Sequence, residues 1–381
     1  MVAVWLVTGR MNAGGAESLI MELLRHRHDN CDVRLVIHSE NEDYDGVYDE
    51  EISKLYIPVS HLPSVGSVGV KKYSIAFEKL VVEHGKPDII HSHLNAPGGI
   101  IAYAACSCGI KHRIIHCHAD ITYHGSWLSK LKSEISLFIM KLFVNCYGTD
   151  YWACSEAAAR RLFYSWKKTV VIPNIIDVAK YLNNDEKRMR ERLLINASDD
   201  EIIIGAIGRI AKIKNYEVII QAVADLIKDG HKIRFVCYGR PMEEEYYNGL
   251  LKMAEEFGVQ DYISFQGNCN RVNEAIAAFD VFVMPSITEG FGIAALEAQA
   301  AGLPCLLSTG IPDEVDMGLG LVKKIPPHDN RQWEKAIIGF RPLVPESTII
   351  QKAISDKGYD SPTECEKIYK RYHEIVNGRI K

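Results

Sequence analysis

Short runs of aliphatic and β-branched residues alternate with longer amphipathic stretches along nearly the whole chain, and this rhythm limits the fold more than any other feature. VAVWLVT (2–8), DVRLVIH (32–38), DIIHSH (88–93) and RIIHCH (113–118) predict buried strands. Segments with helical spacing lie between them, such as AESLIMELLRHR (16–27) and YSIAFEKLVVEHG (73–85). A second series follows: TVVIPN (169–174), EIIIGAIG (201–208), KIRFVCYG (232–239), YISFQG (262–267), DVFVMPS (280–286) and PCLLST (304–309), with helical stretches such as YEVIIQAVADLIKDG (216–230) among them. Strands that are apolar throughout are buried on both faces, and their alternation with helices implies parallel βαβ units. Two such series in 381 residues predict an α/β protein of two doubly wound domains, at roughly 100–200 residues each. The boundary is expected at 173–177, where Pro and Asn precede the charged segment 183–200. The stretch PTECEKIYKRYHEIV (362–376) reads as a further helix.

Composition removes several function classes. The chain is 47% hydrophobic and 24% charged, as ordinary globular proteins are. Its formal net charge of −5 argues against nucleic acid as a partner, because such binders carry a basic excess. No apolar run approaches the roughly 18 residues that span a bilayer. The N-terminus enters a strand-like run with no charged leader, so no signal peptide is expected. Ten cysteines lie in apolar stretches without a C-x-x-C pair, which predicts reduced thiols and a cytoplasmic location.

Three strand-to-helix loops carry residues suited to ligand binding, the position where open α/β sheets hold ligands. Residues 9–17 include Gly14 and Gly15; glycines let a backbone approach a ligand, and a helix N-terminus offers N–H groups to phosphate. The spacing is neither G-x-G-x-x-G nor a P-loop, and a tight turn explains the glycines equally well. Residues 208–215 hold Arg209, Lys212 and Lys214. This is either a solvated charge cluster or a cationic loop able to stabilise a leaving diphosphate without a metal. In residues 288–298, Glu289 and Glu297 stand eight positions apart, with Gly290, Phe291 and Gly292 between them. The carboxylates suit either ligand hydroxyl groups or the helix N-terminus itself, although an unpaired carboxylate in so apolar a sequence is costly.

Histidines form a fourth feature. His91 and His93 end one strand, and His112, His116, His118 and His124 surround the next. Positions i and i+2 share a strand face, so each H-x-H pair supplies two metal ligands at most, and nothing nearby completes a zinc pattern. A structural role and a role at an acceptor site remain open. In residues 126–145, Trp127, Leu128, Leu131, Ile135, Phe138, Ile139, Leu142 and Phe143 recur at helical spacing beside Lys130, Lys132 and Lys141. Such a helix packs on its domain or lies on an anionic membrane.

Together these motifs resemble the GT-B nucleotide-sugar glycosyltransferases of retaining family 4. The carriers are GGAES (14–18), HCHAD (116–120), ACSEAAARRLF (153–163), VIPNIID (171–177), GRIAKIKN (208–215) and EGFGIAALEAQAAGLPCLLS (289–308). The stretch LEAQAAGLPCLLSTGIPDEVD is similar to the branch of bacterial capsule and exopolysaccharide clusters. The family often has glycine where Ile175 stands.

The resemblance implies two Rossmann-like domains facing across a cleft. Residues 1–177 would bind the acceptor, with helix 362–381 returning to them, and 178–361 the nucleotide sugar. It places Gly14 and Gly15 against the donor diphosphate and has Arg209 and Lys214 neutralise that diphosphate as it leaves. Glu289 and the backbone of Gly290, Phe291 and Gly292 would meet the donor sugar, and Glu297 the ribose hydroxyls. The reaction-centre histidine corresponds to His118, with His116 the other candidate. The expected reaction moves a hexose or N-acetylhexosamine from a UDP-sugar to a lipid-linked saccharide, with retention, without a metal or other cofactor. The protein would touch the inner membrane face peripherally. A soluble small-molecule or protein acceptor, and a catalytically silent partner subunit, are the alternatives.

Overall fold

The computed structural model describes residues 1–11, 14–39, 46–118, 127–269 and 271–378, with the side chains of 127–132 also outside the description. The chain divides into two units, Met1–Ile176 with Ser361–Lys381, and Asp177–Asp360. In the first unit the strands are β1 (Val2–Thr8), β2 (Cys31–His38), β3 (Val59–Leu62), β4 (Ile89–Ser92), β5 (His112–Cys117), β6 (Asp150–Ala153) and β7 (Thr169–Val171). They form one parallel sheet in the order β3-β2-β1-β4-β5-β6-β7. The run at 169–174, grouped with the second series from the sequence, therefore belongs to the first sheet as its edge.

The second unit holds β8 (Ile202–Ile207), β9 (Ile233–Tyr238), β10 (Ile263–Phe265), β11 (Val281–Met284), β12 (Cys305–Ser308) and β13 (Val322–Ile325). Its parallel order is β10-β9-β8-β11-β12-β13. Each sheet is a doubly wound, Rossmann-like arrangement. Strand order reverses between β1 and β4 in one and between β8 and β11 in the other, and ligands bind at such switch points, beyond the carboxyl ends of the strands.

Burial on both faces follows from alternation along the strands. Val2, Val4 and Leu6 of β1 enter one apolar layer with Leu19, Leu23 and Val33, while Trp5 and Val7 enter the opposite layer with Tyr73, Phe77 and Ile101. Helix Ser361–Val376 belongs to the first layer through Cys365, Ile368, Tyr369, Tyr372 and Ile375. The Tyr369 hydroxyl donates to Leu23 O at 2.7 Å, and Ser361 N donates to Ile176 O at 2.8 Å.

Two helices differ from the sequence reading. The one expected over 73–85 runs Val65–His84 and breaks at Gly69, whose φ of 75° only glycine adopts readily. Helix Trp127–Tyr147 buries Leu137 and Val144 but leaves Ile135, Phe138, Ile139 and Leu142 exposed at 53%, 62%, 50% and 41%. These four stand at i, i+3, i+4 and i+7, one continuous face turned away from the domain core. No helix among the described residues is long and apolar enough to cross a membrane.

Candidate functional site

In the second unit the cationic loop follows β8. After Gly208 and Arg209 the chain makes a single 3-10 turn, Lys212–Lys214, ended by Asn215 in the left-handed conformation at φ 56°. Asn215 is buried, and its amide donates to Pro285 O at 3.1 Å and Pro327 O at 2.8 Å. One side chain thus ties the cationic loop to the loops after β11 and β13. The Lys214 ammonium lies 2.6 Å from Glu289 Oε1, and Ser286 Oγ donates to the same oxygen at 2.7 Å. Both ion-pair partners are about one-sixth exposed, at 15% and 17%. Arg209 is exposed and makes no ion pair among the described residues.

The loop bearing Glu289 leads into helix Ile293–Ala300. Its N-cap is Gly292 at φ 94°, with no side-chain cap, so no capping side chain takes up the first-turn amides, the donors that an anion at a helix N-terminus meets. Glu297, one turn in, is 8% exposed and accepts a hydrogen bond from the Tyr181 hydroxyl at 2.8 Å. Phe291 stacks on Tyr359 with ring centroids 5.0 Å apart. Arg209, Lys214, Glu289, Gly290, Phe291, Gly292 and Glu297 all follow β8 or β11, the strands flanking the reversal. Lys214 and Glu289 are in direct contact.

In the first unit Gly14 is the N-cap of helix Gly15–Arg25, again with no side-chain cap. A Cβ on Gly15 would stand 2.7 Å from Asn174 Nδ2, so glycine is what lets Asn174 approach the helix N-terminus. The two H-x-H pairs, 25 residues apart in the chain, meet because β4 and β5 are neighbours. His91 Nε2 lies 3.2 Å from His116 Nδ1, and His93 Nδ1 lies 2.9 Å from His118 Nε2. The pairs lie against each other with their rings tilted by 34° and 33°, centroids 4.1 Å apart for His91–His93 and 4.0 Å for His116–His118. Tyr372 adds a hydrogen bond to His91 Nδ1 at 2.7 Å. His118 N donates to Asn95 Oδ1 at 2.6 Å.

Burial, then the neighbouring imidazoles, hold His91, His93 and His116 far below the ordinary histidine range. Burial lowers His118 to about 4, while the Asn174 side chain acts in the opposite sense. These imidazoles are neutral at pH 7. Ring nitrogens of His91, His93 and His116 fall within 4.8 Å of one another, so the two pairs offer more than the two ligands that one strand supplies. Three of those nitrogens are nonetheless turned onto a neighbouring imidazole, His91 Nε2 and His116 Nδ1 onto each other and His93 Nδ1 onto His118 Nε2. His112 opens β5 while His116 lies near its end and His118 just past it, which separates His112 from the cluster by roughly 13–20 Å at about 3.3 Å per residue. Asp120 and His124 lie outside the described residues. Asn95, Asn174, Tyr181, Asn215, Ser286, Tyr359 and Tyr372 were not singled out from the sequence.

Two Rossmann-like units, one with a cation and carboxylate set at its sheet reversal, define the class of GT-B glycosyltransferases. Residues 13–180 match the model "Glycosyltransferase Family 4" and residues 185–339 the model "Glycosyl transferases group 1". The putative glycosyltransferase EpsF of Bacillus subtilis (strain 168) is 30% identical over 368 residues, 93% of this chain and 92% of its own. The capsular polysaccharide biosynthesis glycosyltransferase CapH of Staphylococcus aureus is 22% identical over 305 residues, 78% and 79% of the two chains. Anabaena Alr3699/HepE, solved in complex with UDP and glucose, shares the fold with a TM-score of 0.73 at 17% identity, covering 100% of this chain and 98% of that one. The chain belongs to glycosyltransferase family 4, in the bacterial capsule and exopolysaccharide branch, and is a glycosyltransferase of polysaccharide biosynthesis.

Proposed function

We propose that this chain transfers a hexose or N-acetylhexosamine from a UDP-sugar to a lipid-linked saccharide, with retention of anomeric configuration and without a metal ion at the diphosphate. The observation that carries the donor half is the Lys214–Glu289 pair beside the exposed Arg209. In the reaction the bond from the anomeric carbon to the diphosphate oxygen breaks and a bond to the acceptor hydroxyl oxygen forms, while UDP departs with the electron pair and its departing oxygen takes up the hydroxyl proton. Arg209 and Lys214 supply the positive charge that the departing diphosphate needs. Glu289 lies by the donor sugar with the Gly290–Gly292 backbone, Glu297 receives the ribose hydroxyls, and the Gly14–Gly15 turn serves the diphosphate. His118 stands at the reaction centre on the acceptor side. That Alr3699/HepE was solved with UDP and glucose supports uridine as the nucleoside of the donor.

The acceptor half rests on helix Trp127–Tyr147. Its outward apolar face is bordered by Arg161, which pairs with Glu134 of that helix at 2.5 Å, and by Lys141, whose pKa is lowered by burial and by Arg161. Apolar residues flanked by cations suit an anionic bilayer surface, where a lipid-linked acceptor is held.

Calorimetric titration with UDP and GDP tests the donor reading. Micromolar UDP binding that disappears in Glu297→Ala is expected. Binding to neither nucleotide would overturn the donor reading and favour a silent partner subunit.

A further inference from the structure

His93 has no task in the transfer just described, yet it is built into the site. It is 3% exposed, and its ring is nearly coplanar with that of His118, with planes 20° apart and centroids 5.1 Å apart. At 2.9 Å between His93 Nδ1 and His118 Nε2, an N–H on one nitrogen points at the lone pair of the other. Two neutral imidazoles so joined share a single proton between the facing nitrogens. If His93 Nδ1 is the donor, His118 must carry its own proton on Nδ1.

Three features select this arrangement. His118 Nδ1 and Asn174 Oδ1 are both buried and without a close partner, and the Asn174 side chain favours the protonated form of His118. An N–H on Nδ1 directed toward that amide oxygen suits both atoms. The His118 backbone is fixed by Asn95. The His91–His116 pair, anchored by Tyr372, packs against the His93–His118 pair with ring centroids 4.0–4.1 Å apart and opposes rotation of either ring.

We infer that His93 is a positioning residue for the transfer reaction, holding His118 in one orientation and in the tautomer that bears its proton on Nδ1. With Nε2 engaged by His93 and the Nδ1 proton turned toward Asn174, His118 is held as a fixed neutral ring and does not act as a base through Nε2. This rests on the reading that places His118 at the reaction centre.

The test compares His93→Ala with His93→Asn in the full chain. The asparagine side-chain amide reproduces a donor where Nδ1 stood, whereas alanine leaves Nε2 of His118 without a partner. UDP release from UDP-glucose and UDP-N-acetylglucosamine is followed, together with UDP affinity and the histidine ¹⁵N NMR spectrum. Expected are a kcat about tenfold lower in His93→Ala with donor KM within twofold, and recovery of most of the loss in His93→Asn. The wild-type spectrum should show His118 protonated on Nδ1, and that of His93→Ala a mixture of tautomers. An Nε2-protonated His118 in the wild type would overturn the proposal, as would unchanged kcat in His93→Ala or an asparagine variant as impaired as alanine. Should both variants fail to fold, the wild-type tautomer alone decides. A wild type that releases no UDP from either donor would overturn the donor reading, while the tautomer still tests His93.

Discussion

Lys214 Nζ lies 2.6 Å from Glu289 Oε1, so a cation assigned to the donor diphosphate already has an anionic partner within the same unit. Ser286 holds that carboxylate oxygen from a second side. The ammonium is thereby held extended over Gly208, where a Cβ would lie 3.5 Å from Nζ. An incoming diphosphate competes with Glu289 for it. Lys214→Ala is expected to lower turnover by roughly 10²–10³-fold, as loss of a charge-stabilising donor does. Near-normal steady-state turnover would remove its assigned role.

Glu289→Gln separates the two halves of that relationship. Neutralising the carboxylate frees Lys214 for phosphate, so UDP affinity should hold or tighten while turnover falls. Calorimetry with UDP and a UDP-release assay on one protein batch measure both. Weaker UDP binding together with intact turnover would contradict this.

Tyr181 donates to Glu297 Oε1 at 2.8 Å and so fixes the carboxylate that is to receive the ribose. Tyr181→Phe removes one hydrogen bond and should weaken UDP binding about fivefold. The loss should shrink for 2′-deoxy-UDP, whose ribose lacks one partner for Glu297. An equal loss for both nucleotides would argue that Tyr181 acts elsewhere.

Acid should destabilise the first unit. His38 is lowered to about 4 by burial, and His118 to the same value. The folded state binds fewer protons than the unfolded chain between about pH 6.5 and 4, so stability is full above that window and is lost as pH falls through it. For His38 alone the loss is on the order of 3 kcal/mol. Urea unfolding at pH 7 and pH 4.5, followed by tryptophan fluorescence, should show a clearly lower midpoint in acid; equal midpoints would refute the assignment.

The apolar face of helix Trp127–Tyr147 makes a prediction of its own. Phe138→Glu should abolish co-sedimentation with phosphatidylglycerol vesicles while UDP binding is unchanged. If the wild type fails to sediment with those vesicles, a soluble acceptor becomes the better reading. Transfer should also survive a chelator, since Arg209 and Lys214 are the charges assigned to the diphosphate. Complete loss that magnesium or manganese restores would count against that assignment.

Much of the fold was legible because the central strands are continuous apolar runs. The edges were not. Val59–Leu62 alternates exposed and buried residues over only four positions, and Val322–Ile325 contains two lysines, so neither resembles a buried strand. The run at 169–174 was recognisable as a strand, but a local pattern says nothing about which sheet it joins. The loops bearing Lys214 and Glu289 could be located, since both follow strong strands, but their contact spans 75 residues of sequence. The histidine array was harder still. Its two halves meet only through the β4–β5 pairing, and Tyr372 arrives from 281 residues beyond His91.

Helix Ser361–Val376 completes an apolar layer whose other members are found before residue 176. A ribosome making this protein therefore releases the sheet of the first unit long before the segment that covers it. Throughout synthesis of the intervening 177–360, Leu23, Cys31 and His91 lack their final neighbours. The histidine array consequently gains its Tyr372 hydrogen bond only after residues 361–376 have been made. A chain interrupted anywhere in the second unit leaves the first unit without the helix that closes its apolar layer.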